Sequence, residues 1–286
     1  MSTSVSLTGA SGYLGAAILR ALTARGDRVL RLGRRDADDV VVDLAVGAVD
    51  WRAVADPGKL LVHCAGRMAN DASAIVDTVR MATNLLSGLP SGVSRLVLVS
   101  SAYVYAPAET AATEDTTPRP SDAYGFAKLS VESLFEGEGR ASDRSVTILR
   151  PCAIFGPDDP NKKAVTRFVE DGRRGVAPTL VGDVHFPRDY VHIDDVVRAV
   201  VAAIDTLPAA PVRIYNVATG RSWSPVGLAR LLGELRPALY TSLPAGEDAA
   251  TGYRFDSHRA ERDLRWVARI QMRDAMESLL SRGGVR

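Results

Sequence analysis

The chain has 286 residues, enough for one large α/β unit with a smaller appended lobe, and its 46% hydrophobic content supplies a core and excludes disorder. Thirty-five basic side chains against 34 acidic ones leave no global charge to select nucleic acid or a membrane surface. Cys64 and Cys152 are the only cysteines, too few for a disulfide framework. The N-terminus has no basic stretch followed by a long apolar one, and no apolar run approaches the ~20 residues of a membrane helix, so a cytoplasmic protein is expected.

In chain order, Val5–Leu7 reads as a short strand and Ala16–Ala24 as a helix with Ile18, Leu19 and Leu22 on one side. Val29–Leu32 and Val40–Val42 follow as strands, then Leu60–His63, a helix through Ile75–Leu89, and the strand Leu96–Ser100. Residues 106–123, rich in Pro, Thr, Ala and acids, read as an exposed loop before a helix carrying Tyr124. Val146–Leu149 is the sixth strand. Strands alternating with helices predict right-handed crossovers, and unbroken apolar strands predict a sheet covered on both faces. The expected fold is α/β, a Rossmann-type doubly wound parallel sheet over residues 1–150. Residues 151–286 are expected to form mostly a smaller C-terminal α/β substrate lobe, with 192–204 packing back on the first unit.

Gly9, Gly12 and Gly15 sit where the first strand becomes the first helix. Gly9 allows a tight turn, Gly12 close approach to a pyrophosphate, and Gly15 close helix–strand packing. The helix N-terminus beyond them offers N–H donors to phosphate. The spacing is G-x-x-G-x-x-G rather than G-x-G-x-x-G. At the end of strand two, where an acid binds the ribose of NAD, this chain has Gly33-Arg34-Arg35; two guanidinium groups suit the 2′-phosphate of NADP. Asp36 lies close by, and NAD stays open as the alternative. Asp43-Leu44 after strand three are placed to border the adenine, and His63-Cys64-Ala65-Gly66 after strand four to line the rest of the cofactor cleft.

Tyr124 and Lys128 are four apart and share a helix face. A phenol titrates near pH ~10, and a nearby ammonium is expected to lower that. Ser101 ends strand five at the C-terminal edge of the sheet, where such folds bind ligands. These three residue types together fit proton exchange at a carbon-bound oxygen beside a nicotinamide.

The segments Thr8–Gly15, Leu98–Tyr105 (LVSSAYVY), Tyr124–Lys128, Leu149–Pro157 (LRPCAIFGP), Arg188–Asp195 (RDYVHIDD) and Tyr215–Val217 (YNV) occur in the order found in the extended short-chain dehydrogenase/reductases. The chain resembles that group of nucleotide-sugar epimerases, dehydratases and ketoreductases. The resemblance implies catalysis by Ser101, Tyr124 and Lys128, with Lys128 also holding the nicotinamide ribose. It implies that Gly9, Ser11, Gly12, Tyr13, Leu14, Gly15 and Pro151 line the cofactor. It places Ala102 and Tyr103 beside the substrate, puts Arg188 on a substrate diphosphate, and implies a homodimer built through two helices per subunit.

The chain departs from the group at four places. Ala153 and Thr78 stand where many relatives have Asn. Ala102-Tyr103 replace the Asp-Glu pair of the dehydratases, which argues against 4,6-dehydration, and the Cys of the 3,5-epimerases is absent there. His63, His185, His192 and His258 show no metal-ligand spacing. Trp51, Trp223 and Trp266 read as packing residues. Arg254 and Arg259 are candidate phosphate contacts of low priority. The leading expectation is an NADPH-dependent ketoreductase of a nucleotide-activated keto sugar. The alternatives are an NAD-retaining 4-epimerase and a nonenzymatic NADP(H) sensor; no nucleic acid or membrane partner is expected.

Overall fold

A computed structural model describes residues 3–239 and 243–282. The strands β1 (Ser4–Thr8), β2 (Arg28–Gly33), β3 (Val40–Val41), β4 (Leu60–His63), β5 (Arg95–Val99) and β6 (Ser145–Pro151) all run parallel. With a further strand, Val212–Val217, they form a seven-stranded sheet in the order β3-β2-β1-β4-β5-β6-(212–217). The chain builds outward from β1 in one direction and from β4 in the other. The crevice between the C-terminal ends of β1 and β4 is therefore the topological switch point.

Alternation along each strand explains why the strands are apolar throughout. Leu60 and Val62 enter one core with Val97, Val99 and Leu149, while Leu61 enters the other with Leu96, Leu98 and Ile148. The first face is covered by α1 (Tyr13–Ala24) and by the helix Ile193–Asp205, which pack on each other. The second is covered by α2 (Ala72–Leu86) and α3 (Ala123–Ala141). Trp51 and Trp266 are packing residues, each donating its indole N–H to a backbone carbonyl, of Leu85 and Asp195 respectively.

Local caps set the helix limits. Asp71 accepts the Ala74 N–H at 2.8 Å, so α2 begins three residues before the apolar periodicity shows it. It ends before Leu89 because Gly88 turns the chain at φ +68°. Asp122 likewise accepts the Gly125 N–H at 2.8 Å and starts α3.

A second, three-stranded sheet contains β7 (Ala153–Phe155), β8 (Arg188–His192) and a short strand, Ser222–Trp223. With the helices Ala164–Arg173, Pro225–Leu235 and Met272–Ser281 it encloses a separate core around Phe155, Phe168, Leu228 and Met276. Besides the helix 193–205, the main sheet takes from beyond residue 151 the strand Val212–Val217 beside β6 and the helix His258–Leu264, whose Ala260 and Leu264 enter the core of Leu60 and Val62. The segment 106–123 is a largely exposed loop, as expected, and is tied down at two points. Ala108 and Ala112 pair with Gly252 and Phe255, and Ala112 is buried. No helix among the described residues is long and apolar enough to cross a membrane.

Candidate active site

The glycine turn owes its shape to contacts that side chains would prevent. Gly9 has φ +74°, and a Cβ there would lie 2.8 Å from the Ala65 N across the crevice. A Cβ on Gly15 would lie 2.0 Å from the Gly9 carbonyl oxygen, so α1 can start this close to β1 only with glycine. Gly12 is the N-cap of α1 and provides no side-chain cap, which leaves the N–H groups of the first turn free for an anion. The helix begins at Tyr13, earlier than the periodicity from Ala16 implies, because the loop closes through the Gly12 N–H to Gly9 carbonyl bond at 2.9 Å.

This turn opens into a cleft of about 490 Å³ at the switch point. Of the sequence-derived candidates, Gly9, Gly12, Tyr13, Leu14, Gly15, Cys64, Gly66, Pro151, Ser101, Tyr103, Tyr124, Lys128 and Arg188 all line it. Others stand elsewhere. Leu44 is buried in the core against α2, and Ala102, at the start of a 3-10 turn, is buried as well; neither is among the residues that line the cleft. Ser11 is exposed and Ala65 stands behind Gly9, both outside the cleft lining. Arg34 and Arg35 are exposed at the end of β2, with Arg34 3.8 Å from Asp43. Asp43 also accepts the Ala45 N–H. Asp38 lies against the same turn: its carboxylate accepts the Arg35 N–H at 2.9 Å and would meet a Gly33 Cβ at 2.4 Å.

Ser101, Tyr124 and Lys128 are brought together by β5 and α3. Ser101 follows β5, and its Oγ accepts the Tyr103 N–H at 3.2 Å, holding the hydroxyl at the strand end. The same hydroxyl is close enough to the Tyr124 phenol to oppose the rise that burial causes in its pKa. The two elements approach closely because residue 125 is glycine; a Cβ there would lie 2.4 Å from the Tyr103 carbonyl oxygen. The Lys128 ammonium is buried, 6.0 Å from the centre of the Tyr124 ring, and donates to the Val99 carbonyl at 3.1 Å. Gly66 lies beside it; a Cβ there would be in ordinary contact, 3.5 Å from Nζ.

The electrostatics correct one expectation. Burial pushes the Tyr124 phenol up to about 12, and the neighbouring Ser101 hydroxyl opposes that only in part. Lys128 is not among the groups acting on it, because its ammonium turns to Val99. Burial also lowers the Lys128 pKa, against the opposing pull of Cys64 and Glu132. His63 and Cys64 point to opposite sides, as neighbours on a strand must. His63 is buried on Thr8 Oγ1 at 2.7 Å and stacks on Phe135, and burial drives its pKa down to about 3. Cys64 faces the cleft, with its thiol pushed up to about 12 by burial.

At the other end of the cleft Arg188 lies over the rings of Phe186 and Tyr253, at 5.0 and 5.4 Å, and its charge opposes the rise that burial causes in the Tyr103 phenol pKa. The neighbouring Asp189 carboxylate is turned away from the cleft and takes the Thr219 and Gly220 N–H groups. Lys163, like Arg67, is a cation in the lining that sequence reasoning missed. It lies 3.7 Å from the buried Asp159 carboxylate, in a stretch where Asp158 and Lys162 both hold left-handed backbone (φ +58° and +43°). Burial lowers its pKa, against the pull of Asp159. No periodic signal marks such a residue. Arg254 and Arg259 are spent within the fold, on the carbonyls of Ala108, Ala249 and Ala250 and on Asp115. Among the described residues no cluster of three or more His, Cys, Asp or Glu side chains is arranged to hold a metal.

Residues 5–218 match the NAD dependent epimerase/dehydratase family. The chain belongs to that family. It is accordingly an enzyme of the short-chain dehydrogenase/reductase kind, with a Rossmann fold. It is 27% identical to a dTDP-glucose 4,6-dehydratase of Streptomyces griseus over 98% of this chain and 94% of that one. It is 26% identical to a dTDP-4-dehydro-6-deoxy-D-allose reductase of Streptomyces bikiniensis over 80% and 79% of the two chains. In fold it is similar to the UDP-N-acetylglucosamine 4-epimerase of Bacillus cereus, with a TM-score of 0.82 at 19% identity over 100% and 98%. The uncapped first turn of α1 and the glycine cradle fit the dinucleotide the family uses.

Proposed function

We propose that this family member is an NADPH-dependent reductase of a nucleotide-activated keto sugar. One observation carries the reading: the Ser101–Tyr124–Lys128 set and the Gly9–Gly12–Gly15 turn line the same cleft. The bound cofactor supplies the hydride. Ser101, fixed by the Tyr103 N–H, holds the keto oxygen beside the Tyr124 phenol. A phenol pushed up to about 12 is protonated at neutral pH and is therefore a proton donor, and an alkoxide oxygen is a far stronger base than phenolate. The Lys128 ammonium, held by the Val99 carbonyl, stands in the cleft where it would hold the nicotinamide ribose of a bound cofactor. Arg188 and Lys163 supply positive charge for a diphosphate.

NADP over NAD is supported by Arg34 and Arg35, exposed at the end of β2. The Asp38 carboxylate against Gly33 favours a second reading, an NAD-retaining 4-epimerase, because an acid at that turn suits unphosphorylated ribose. The sensor reading gains nothing from a complete Ser-Tyr-Lys set. A homodimer through α2 and α3 is supported by Val76 and Phe126, 50% and 53% exposed on those helices. Cytoplasmic action is supported by two unpaired thiols, Cys64 and Cys152.

The test offers dTDP-4-keto-6-deoxyglucose with 4-deuterated NADPH or NADH. The reductase reading expects stoichiometric NADPH oxidation with deuterium in the product sugar. Tightly retained NAD, with epimers interconverting and no cofactor added, would replace it by the epimerase reading. Equal loss of NADPH and NADH affinity in Arg34→Ala would remove the case for 2′-phosphate recognition.

A further inference from the structure

Asn70 has no part in the motifs, yet it lines the cleft beside Tyr124. It sits in the turn between β4 and α2, and its Oδ1 accepts the backbone N–H of Tyr124 at 3.2 Å. Tyr124 is the second residue of α3, and its N–H has no partner within the helix. A backbone N–H can only donate, so it fixes which end of the Asn70 amide faces it. The other end, Nδ2, carries two donors and has no partner among the described residues. Asp122 already takes the next N–H, of Gly125. The sequence thus places a second, amide-bearing cap on the catalytic helix, on a loop whose other anchors are the Arg67 N–H to Thr78 Oγ1 bond at 3.1 Å and the Arg67–Asp77 ion pair at 2.6 Å.

We propose that Asn70 is a substrate-binding residue whose oriented Nδ2 donates to an oxygen of the sugar held against Tyr124. The inference rests on the nucleotide-sugar reading above and adds a contact on the carbohydrate. Aspartate at this position keeps the acceptor for the Tyr124 N–H and removes the donor; alanine removes both.

The experiment titrates dTDP-glucose and, separately, dTDP into cofactor-loaded wild type, Asn70→Ala and Asn70→Asp. The readout is the ratio of the two affinities, because the charge that Asp adds acts on dTDP as well. The expected result is a ratio lowered about tenfold in both variants, as for one lost hydrogen bond, with cofactor affinity unchanged. A wild-type ratio in Asn70→Asp would mean that only the cap matters and would overturn the proposal. So would a loss falling equally on dTDP and dTDP-glucose, or on the cofactor. If wild type binds neither ligand, the nucleotide-sugar reading fails and this contact fails with it. If Tyr124→Phe abolishes turnover of the keto sugar while the Asn70 ratio stays at wild type, this contact fails alone.

Discussion

Gly125→Ala tests how the catalytic hydroxyls are brought together. An added Cβ would lie 2.4 Å from the Tyr103 carbonyl oxygen and 2.9 Å from Pro120 Cβ, where ordinary contact begins at 3.4 Å. The start of α3 must therefore retreat by about 1 Å from the turn that carries Ser101, and a misplacement of that size costs about 100-fold in rate. Stability should change far less. Overpacking costs roughly 1–3 kcal/mol, and replacing a helical glycine by alanine returns about 1 kcal/mol, leaving a net loss of about 0–2 kcal/mol. Gly137→Ala, exposed on the same helix with nothing within 4 Å of its Cβ, is the matched control. It should gain about 0.5–1 kcal/mol and leave turnover alone. The assays are urea denaturation, cofactor affinity by fluorescence and turnover of the keto sugar. Turnover of Gly125→Ala within threefold of wild type would refute the reasoning.

The remaining predictions concern buried charges. Glu132 and Arg150 form a pair 2.6 Å apart at 0% and 3% side-chain exposure, so Glu132→Ala should cost about 3–5 kcal/mol in denaturant unfolding, chiefly from the unpaired guanidinium. Lys128→Met should abolish turnover yet keep or raise stability by about 1 kcal/mol, because the buried ammonium has one carbonyl as its hydrogen-bond partner. His63 has a folded-state pKa of about 3, below its ordinary 6.5, so on acidification the unfolded chain takes the proton first. Its contribution to stability is complete above pH 6.5 and is lost as the pH falls towards 3, at about 1.4 kcal/mol per unit. His63→Gln should flatten the stability–pH curve by that slope between pH 6 and 4, measured as the difference from wild type.

The nucleotide half was legible in the sequence because its elements repeat a strict pattern. Apolar strands such as Leu96–Val99 have no polar face to hide, and each ends at a turn with recognisable chemistry. The strand Val212–Val217 was not read as part of the main sheet, since its pairing with β6 joins residues some 66 positions apart (Val146 with Val212) and leaves no local trace. In the cleft, residues inside a motif were found, while Lys163 and Asn70 were not. Their roles come from loop geometry, a buried Asp159 in one case and an open helix N–H in the other. The Tyr124 pKa is not legible in the sequence for a related reason. Helical spacing fixes which face a lysine shares but not which acceptor its ammonium chooses, and Val99 lies on another element.

The measurement closest to the centre of this account is hydride transfer to the keto sugar by wild type and Tyr124→Phe, with cofactor affinity determined in parallel. Loss of the proton donor should lower the rate by at least about 100-fold while the glycine-turn site binds NADPH as before. A Phe variant that transfers hydride within threefold of wild type would contradict the assignment of Tyr124.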